Sequence, residues 1–151
     1  MSLQEELLSF ASSVGDMFRR RVAKTPNSLA FLDPDRAPQG PNQWSRYTWA
    51  ESRVLVDQLA AGLLARGLAR EQRVGIISST RLEWILMDLA VACAAGATTT
   101  VYPNTAAGDV DFILGDSGTC IAVVEDASQL AKVNASPFLA KTIHTIVVID
   151  A

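Results

Sequence analysis

The chain is poor in the residues that most often carry enzyme chemistry. It has one histidine, His144, and two cysteines, Cys93 and Cys120. No cysteine partner and no Gly-x-Ser-x-Gly elbow accompanies the histidine, so the parts of a zinc site or a hydrolase triad are missing. Two cysteines are too few for a disulfide framework, and we interpret both as small buried residues of a reduced compartment. His144 is therefore predicted to be a structural or surface residue.

Charge is also scarce. Charged residues make up 19% of the 151 residues and apolar residues 49%, and the formal net charge is −3. From the start of the chain through Arg81 there are eleven Lys/Arg and eight Asp/Glu residues. After Arg81 there are two Lys/Arg and eight Asp/Glu residues. Neither part is basic enough to indicate nucleic acid, so no nucleic-acid partner is predicted. The apolar excess indicates more hydrophobic surface than one small domain can bury, which favours a missing partner domain. A homodimer is the other partner that the sequence leaves open.

Targeting and membrane-spanning segments are not predicted either. Glu5 and Glu6 lie where a signal peptide would carry positive charge. Residues 89–108 carry no charge, but Gly96, Pro103 and Asn104 interrupt them, so they do not form a spanning helix. The cytoplasm is the expected location, and peripheral contact with a membrane stays open.

The strongest structural pattern runs from residue 73 to residue 103. Residues 74–77 are a β-branched run typical of a strand that is covered on both faces. Thr80 and Glu83 have the spacing of a capping box ahead of a helix that is apolar nearly all round. Gly96 suits the position just after that helix, and residues 98–102 form the next strand. This stretch predicts a strand, a crossover helix and a parallel strand.

The rest of the chain continues this alternation. A flexible segment is predicted over residues 1–11, followed by a helix that begins at Ser13 and a short antiparallel strand pair. Thr48 and Glu51 form a second capping box, and the helix after them ends at Gly67. The later elements predicted are a helix that starts at residues 104–105 and stops at Gly118, a strand over 121–124, a helix over 127–133 and a strand over 146–149. The pattern predicts an α/β fold with a largely parallel sheet and flanking helices.

The loops after the strands contain few candidate site residues. Residues 78–81 (Ser-Ser-Thr-Arg) could hold an anion at a helix N-terminus, but they lack the glycines of a dinucleotide loop, and simple capping is the alternative. Residues 116–119 (Asp-Ser-Gly-Thr) are residue types found in phosphate loops, but no Gly-Lys follows them. A helix C-cap is the favoured interpretation. Glu125 and Asp126 resemble an acidic metal pocket that lacks a third acid, and we interpret them as solvated acids that cap the next helix.

Several stretches resemble the adenylate-forming (AMP-binding) superfamily. Tyr-Thr-Trp-Ala-Glu at 47–51 and ACAAGATTTVYP at 92–103 are similar to its first two core motifs. The segments beginning SVGDMF, SSTRLEW and AAGDVDF follow in register over residues 12–150. The segments SSTRLEW and VYPNT are most similar to those of bacterial long-chain fatty-acid–CoA ligases.

This resemblance implies an incomplete N-terminal part of the AMP-binding large domain over residues 1–151. It also implies a reaction in which a fatty carboxylate, ATP and magnesium form an acyl-adenylate that coenzyme A converts to a thioester. The family's phosphate loop, ribose-binding aspartate and C-terminal lysine fall beyond Ala151. No catalytic, cofactor-binding or metal residue is therefore assigned, no cofactor is expected on this chain, and the chain alone is expected to be inactive. A standalone α/β binding or dimerisation module is the alternative.

Overall fold

The computed structural model describes residues 10–34 and 44–151. The flexible segment predicted over residues 1–11 and the loop predicted between Asp33 and Arg46 fall mostly outside these residues. The helices are α1 Val14–Lys24, α2 Trp49–Ala65, α3 Leu82–Cys93, α4 Ala107–Asp116, α5 Ala127–Asn134 and α6 Leu139–Thr142. The strands are β1 Leu29–Asp33, β2 Ser45–Thr48, β3 Arg73–Ile77, β4 Ala97–Val101, β5 Thr119–Val124 and β6 Thr145–Val148. Among the described residues, no helix has both the length and the apolar character needed to cross a bilayer.

Two sheets organise these elements. β1 and β2 form an antiparallel pair, and the other four strands form a parallel sheet in the order β4-β3-β5-β6. The chain leaves β3 towards β4 on one side and returns to β5 on the other side. The crossover helices therefore lie on opposite faces of the sheet. The prediction of a largely parallel α/β sheet preceded by an antiparallel pair is confirmed.

Successive side chains of the central strands point to opposite faces of the sheet and belong to two separate hydrophobic cores. Val74 and Ile76 of β3 pack with α1, α2 and α3, whereas Ile77 packs with α4, α5 and α6. β5 divides in the same way, because Val123 joins the first core and Val124 the second. Side chains that alternate across a strand can fill both layers only when the sheet is covered on both faces.

The ends of α3 differ from the prediction. Its N-cap is Arg81, which makes no capping hydrogen bond with its side chain, so the Thr80–Glu83 capping box is wrong. Glu83 instead accepts a hydrogen bond from Arg81 Nε at 2.8 Å. After the helix, Ala95 rather than Gly96 takes the positive φ, of 59°. Glycine at position 96 avoids crowding, because a Cβ there would lie 3.0 Å from Val91 Cγ1 and 3.3 Å from the carbonyl oxygen of Gln72.

The caps of α2 follow the prediction. Thr48 Oγ1 accepts from the backbone N–H of Glu51 at 3.2 Å, and the Glu51 carboxylate accepts from the N–H of Thr48 at 2.8 Å. Gly67 has φ 88°, and the N–H of Leu68 donates to the carbonyl of Leu63 at 3.1 Å, as in a Schellman ending. Both ends of the helix are set by local chemistry.

The buried face of α2 is rotated from the predicted one. The amphipathic pattern of the sequence predicts a core-facing side of Val54, Leu55, Leu59, Leu63 and Leu64, opposite Arg53, Asp57 and Arg66. The buried residues are Ser52, Val56, Ala60 and Leu63. Val54 and Leu64 are 56% and 52% exposed, and Leu55 and Leu59 are half-buried. α2 therefore presents a second apolar stripe beside its buried one.

α1 lies against the end of α3. Ser13 caps α1 by accepting from the N–H of Asp16, as predicted. A Cβ at Gly15 would lie 2.8 Å from the carbonyl oxygen of Ala92, so glycine permits this close approach. Arg19 donates to the carbonyl of Cys93 at 3.0 Å and so satisfies one of the last carbonyls of α3.

Candidate functional site

The strand order reverses between β3 and β5. In open parallel sheets, ligands bind outside the carboxyl ends of the strands at such a switch point. Residues 78–81 follow β3 and Glu125 follows β5, so these two loops flank the switch point. The fold thus brings together two of the three loop motifs that the sequence indicated as candidates.

A carboxylate of the protein itself lies between these loops. Glu125 accepts a hydrogen bond from the backbone N–H of Ser79 at 2.8 Å and another from the Ser79 hydroxyl at 2.6 Å. Arg81 Nη1 lies 3.7 Å from Glu125 Oε1, and the Glu125 side chain is 19% exposed. A backbone amide, a hydroxyl and a guanidinium are donors that could also surround a phosphate. Here they surround Glu125.

Arg81 extends this arrangement to β6. Its Nη1 and Nη2 donate to the two carboxylate oxygens of Asp150 at 2.5 and 3.2 Å, and its Nε donates to Glu83 at 2.8 Å. Hydrogen bonds to Asp150 and then Glu83 raise the pKa of the guanidinium above its ordinary value, against the opposing effect of burial. We call Ser79, Arg81, Glu83, Glu125 and Asp150 the carboxyl-edge cluster. It ties together the ends of β3, β5 and β6.

The carboxyl-edge cluster changes how two predicted site residues, Arg81 and Glu125, are interpreted. One guanidinium faces three carboxylates, so an anionic ligand would have to displace Glu125 and Asp150 from Arg81. Asp126 caps α5 by accepting from the N–H of Gln129 at 3.0 Å, as predicted. Glu125 is not the solvated cap that was predicted, because it bonds across the sheet to Ser79.

The other candidates remain apart from the switch point. Residues 116–119 end α4, where Gly118 has φ 67°, so the interpretation as a helix C-cap is confirmed. His144 is exposed, and its ring Nδ1 lies 3.2 Å from the hydroxyl of Thr145. Cys93 and Cys120 form no disulfide, and burial raises the pKa of both thiols. Within residues 10–34 and 44–151, no three His, Cys, Asp or Glu side chains are grouped so that they could hold a metal ion.

A small cavity lies between the ends of β3 and β4. Its volume is about 230 Å³, and its walls include the hydroxyl-bearing residues Ser78, Thr80 and Thr100 and the aromatic residues Trp84 and Tyr102. Hydroxyl and aromatic groups suit a neutral or planar group. Among the residues that the structure describes, no charged side chain lines this cavity, so these residues offer no counter-charge to a triphosphate.

The sequence interpretation missed an apolar groove between α2, α3 and β6. Its volume is about 360 Å³. We define the apolar groove by its lining residues, which are Tyr47, Leu55, Gln58, Leu59, Leu82, Glu83, Leu86, Met87, Val147 and Ile149. The signals for it in the sequence were the apolar stripe on α2 beyond its buried face and the nearly continuous apolar surface of α3.

The fold and the carboxyl-edge cluster define a doubly wound α/β domain. Side chains of the domain itself occupy its switch point. The chain belongs to the AMP-binding enzyme family, whose sequence model matches residues 18–151. It is 31% identical over 123 residues to the long-chain-fatty-acid–CoA ligase heimdall of Drosophila melanogaster, a match that covers 82% of this chain and 18% of that protein. The long-chain-fatty-acid–CoA ligase FadD15 of Mycobacterium tuberculosis is 31% identical over 90 residues, or 60% of this chain and 15% of that protein.

Solved structures show the same fold. A fatty acyl CoA synthetase of Mycobacterium tuberculosis superposes with a TM-score of 0.79 at 23% identity, over 90% of this chain and 26% of that one. The anthranilate CoA ligase AuaEII, in complex with anthranoyl-AMP, superposes with a TM-score of 0.80 at 17% identity, over 99% of this chain and 27% of that one. The chain thus spans less than a fifth of the length of the two curated relatives, at 18% and 15%.

Proposed function

We propose that this chain is the N-terminal part of the AMP-binding domain of a long-chain fatty-acid–CoA ligase. The observation that carries the proposal is the family match over residues 18–151, together with 31% identity to a ligase of this kind over 82% of the chain. In the proposed reaction, the fatty carboxylate attacks the α-phosphate of ATP and pyrophosphate leaves. The thiol of coenzyme A then attacks the acyl carbon of the adenylate, AMP leaves, and an acyl-CoA thioester forms.

The contribution of this chain in the proposal is structural. The carboxyl-edge cluster holds the ends of three parallel strands together, and its only guanidinium is already bonded to carboxylates. The described residues do not fit a magnesium ion or a triphosphate. They include no cluster of metal ligands, and the guanidinium at the switch point, that of Arg81, is already paired with Glu125 and Asp150. ATP, magnesium and coenzyme A are therefore proposed to bind to other parts of the ligase, and no catalytic step is assigned to this chain.

The proposed location follows from the proposed substrate. A long-chain fatty acid partitions between water and membranes, so a cytoplasmic ligase that touches the membrane surface could collect it there. A homodimer and membrane contact stay proposals. They would be checked by mass measurement in solution and by sedimentation with lipid vesicles.

ATP–pyrophosphate exchange tests the proposed activity. The 151-residue chain and the product of the complete reading frame would each be incubated with ATP, magnesium, labelled pyrophosphate and either palmitate or no acid. We expect palmitate-dependent exchange only in the complete product. Exchange by the 151-residue chain alone would contradict the structural role, and no palmitate-dependent exchange by the complete product would contradict the long-chain ligase assignment.

A standalone module is not favoured by the comparisons, since the matched relatives are named as ligases. Hydrodynamic size and dye binding discriminate the two functions. A closed monomer with no dye-accessible apolar surface would support a self-sufficient module.

A further inference from the structure

α1 has an exposed side that combines apolar and basic residues. Because a helix turns once in about 3.6 residues, five residues of α1 lie on one side, namely Val14, Met17, Arg20, Arg21 and Lys24. All five are exposed, whereas the opposite side of the helix is buried against the domain. Val14 and Met17 are 50% and 55% exposed. We call these five residues the α1 stripe.

The apolar and basic residues are separated along the α1 stripe. The apolar residues lie at its N-terminal end, and Phe10, which precedes the helix, is 65% exposed as well. The basic residues lie at its C-terminal end, and the whole stripe is about 15 Å long. Single exposed apolar side chains are ordinary at a protein surface. Their arrangement beside several basic side chains is typical of a helix that lies in a membrane interface.

α1 also concentrates the positive charge of the described helices. It contains four Lys/Arg residues and one Asp, which give a net charge of +3. α2 has two acids and one Arg, α3 has two acids and no basic residue, and α4 has three Asp and no basic residue. α1 packs on one face of the sheet and α4 on the other. The domain therefore has a basic side and an acidic side, which orients it on an anionic surface although the chain is net negative.

The contacts of the three adjacent arginines show which of them face outward. Arg19 donates to the carbonyl of Cys93 at 3.0 Å and so serves the packing of α1 on α3. Arg20 pairs with Asp16 along the helix, and its side chain stays 51% exposed. Arg21 lies over the Trp49 ring, with Cζ 4.9 Å from the ring centroid, and this contact holds an exposed guanidinium in place. Arg20, Arg21 and Lys24 therefore supply the outward charge.

We propose that the α1 stripe binds anionic lipid headgroups and holds the domain reversibly on a membrane surface. Headgroup phosphates accept hydrogen bonds from the basic end, and Val14 and Met17 enter the boundary between headgroups and acyl chains. A single short amphipathic surface gives weak binding, because stable anchoring takes two signals. Collection of a long-chain fatty acid at that surface rests on the proposed function, whereas the lipid binding itself does not.

A bilayer fits the α1 stripe better than an acidic protein does. A stripe about 15 Å long and about 10 Å wide covers about 150 Å², whereas a stable protein interface buries about 800 Å² on each partner. The convex side of one helix suits a flat and deformable surface. A membrane also supplies both anionic groups and an apolar layer, in the order in which the α1 stripe needs them.

Sedimentation of the complete reading-frame product with lipid vesicles tests this inference. The vesicles would contain phosphatidylcholine alone or equal parts of phosphatidylcholine and phosphatidylglycerol. We expect binding to the vesicles with phosphatidylglycerol, weakening of that binding as salt is added, and little binding to phosphatidylcholine alone. Absence of binding to the anionic vesicles, or equal binding to both kinds, would overturn the inference. Equally tight binding to single-stranded RNA would overturn it in favour of a general polyanion site.

Charge substitutions locate the binding on α1. A Lys or Arg near an anionic surface contributes about fivefold to binding, so Arg20→Gln with Lys24→Gln should weaken it about 25-fold. Arg53→Gln with Arg66→Gln on α2 is the matched control, because Arg53–Asp57 is also an i,i+4 pair at similar exposure. Equal loss in the two double variants would overturn the inference.

An apolar substitution separates insertion from charge alone. Met17→Ser should weaken vesicle binding severalfold, whereas Val54→Ser on α2 is the matched control, since the two side chains are 55% and 56% exposed. Equal binding by these two variants would overturn the insertion of the α1 stripe. Unchanged urea midpoints would show that the variants stay folded. Pyrophosphate exchange measured on the same samples reports separately on the ligase assignment, so its failure leaves the vesicle result intact.

Discussion

Removal of the Arg81 guanidinium should destabilise the fold more than removal of any surface arginine. Its side chain is 16% exposed and joins Glu83 and Asp150 by three hydrogen bonds of 2.5 to 3.2 Å. In Arg81→Ala, the carboxylates of Glu83 and Glu125, which are 21% and 19% exposed, lose their shared cation. The remaining negative charges then repel one another at the end of the sheet.

The magnitude follows from the partial burial of the cluster. Hydrogen bonds to charged groups contribute about 1.5–3 kcal/mol each, and breaking a fully buried ion pair costs about 3–5 kcal/mol. Asp150 is 55% exposed, so solvent screens its share. We expect Arg81→Ala to lower the free energy of unfolding by about 2–3 kcal/mol in total. For a domain of this size, that corresponds to a fall in Tm of about 4–12 °C.

Urea denaturation of the 151-residue chain, followed by circular dichroism, measures this effect. Arg53→Ala is the matched control, because the Arg53–Asp57 pair is 54% and 51% exposed and should contribute less than about 1 kcal/mol. Arg81→Lys keeps the charge but not the two-pronged geometry, so it should lie between wild type and Arg81→Ala. The reasoning is refuted if Arg81→Ala costs no more than Arg53→Ala. Should Arg81→Ala fail to fold, the lysine variant supplies the comparison.

The remaining predictions concern helix packing and capping, and all are read from urea denaturation. Gly15→Ala should lower the free energy of unfolding by about 1–3 kcal/mol through overpacking, since its Cβ would meet backbone of α3 at 2.8 Å. In Gly62→Ala the new Cβ would meet only the Arg66 side chain, at 3.7 Å, so this change should raise the free energy of unfolding by about 0.4–1 kcal/mol. Equal effects of Gly15→Ala and Gly62→Ala would be inconsistent with this packing. Thr48→Ala removes a cap and should cost about 1 kcal/mol, and an unchanged midpoint would argue against the cap. Hydrogen bonds from the backbone and side chain of Thr48 lower the pKa of Glu51 from its ordinary 4.5. The advantage of wild type over Glu51→Gln should be complete above pH 4.5 and disappear as pH falls through the lowered pKa, whereas an advantage independent of pH between 3 and 7 would contradict this assignment.

Local features of the fold could be predicted from the sequence because their partners are near in the chain. The caps at Ser13 and Thr48 each join residues three apart, and the turn at Gly67 needs only a residue that tolerates positive φ. The period-two pattern of the central strands likewise follows from strand geometry alone. The prediction was wrong at Thr80 and Gly96, and distant residues contribute to both places. Glu83 bonds to Arg81 two residues away, and Arg81 is held in turn by Asp150, 69 residues away. A Cβ at Gly96 would crowd not only the nearby Val91 but also Leu68 and the carbonyl oxygen of Gln72.

The site depends on contacts that no local rule specifies. Glu125 reaches Ser79 across 46 residues of chain, and Asp150 reaches Arg81 across 69. These pairs exist only because the sheet order places the ends of β3, β5 and β6 side by side. The sequence by itself determined where strands and helices form, through local caps and alternation, and its motifs indicated the family. Only the tertiary structure decided that the switch point is filled by Glu125 and that an apolar groove stays open beside β6, because both depend on strand order and on the rotation of α2.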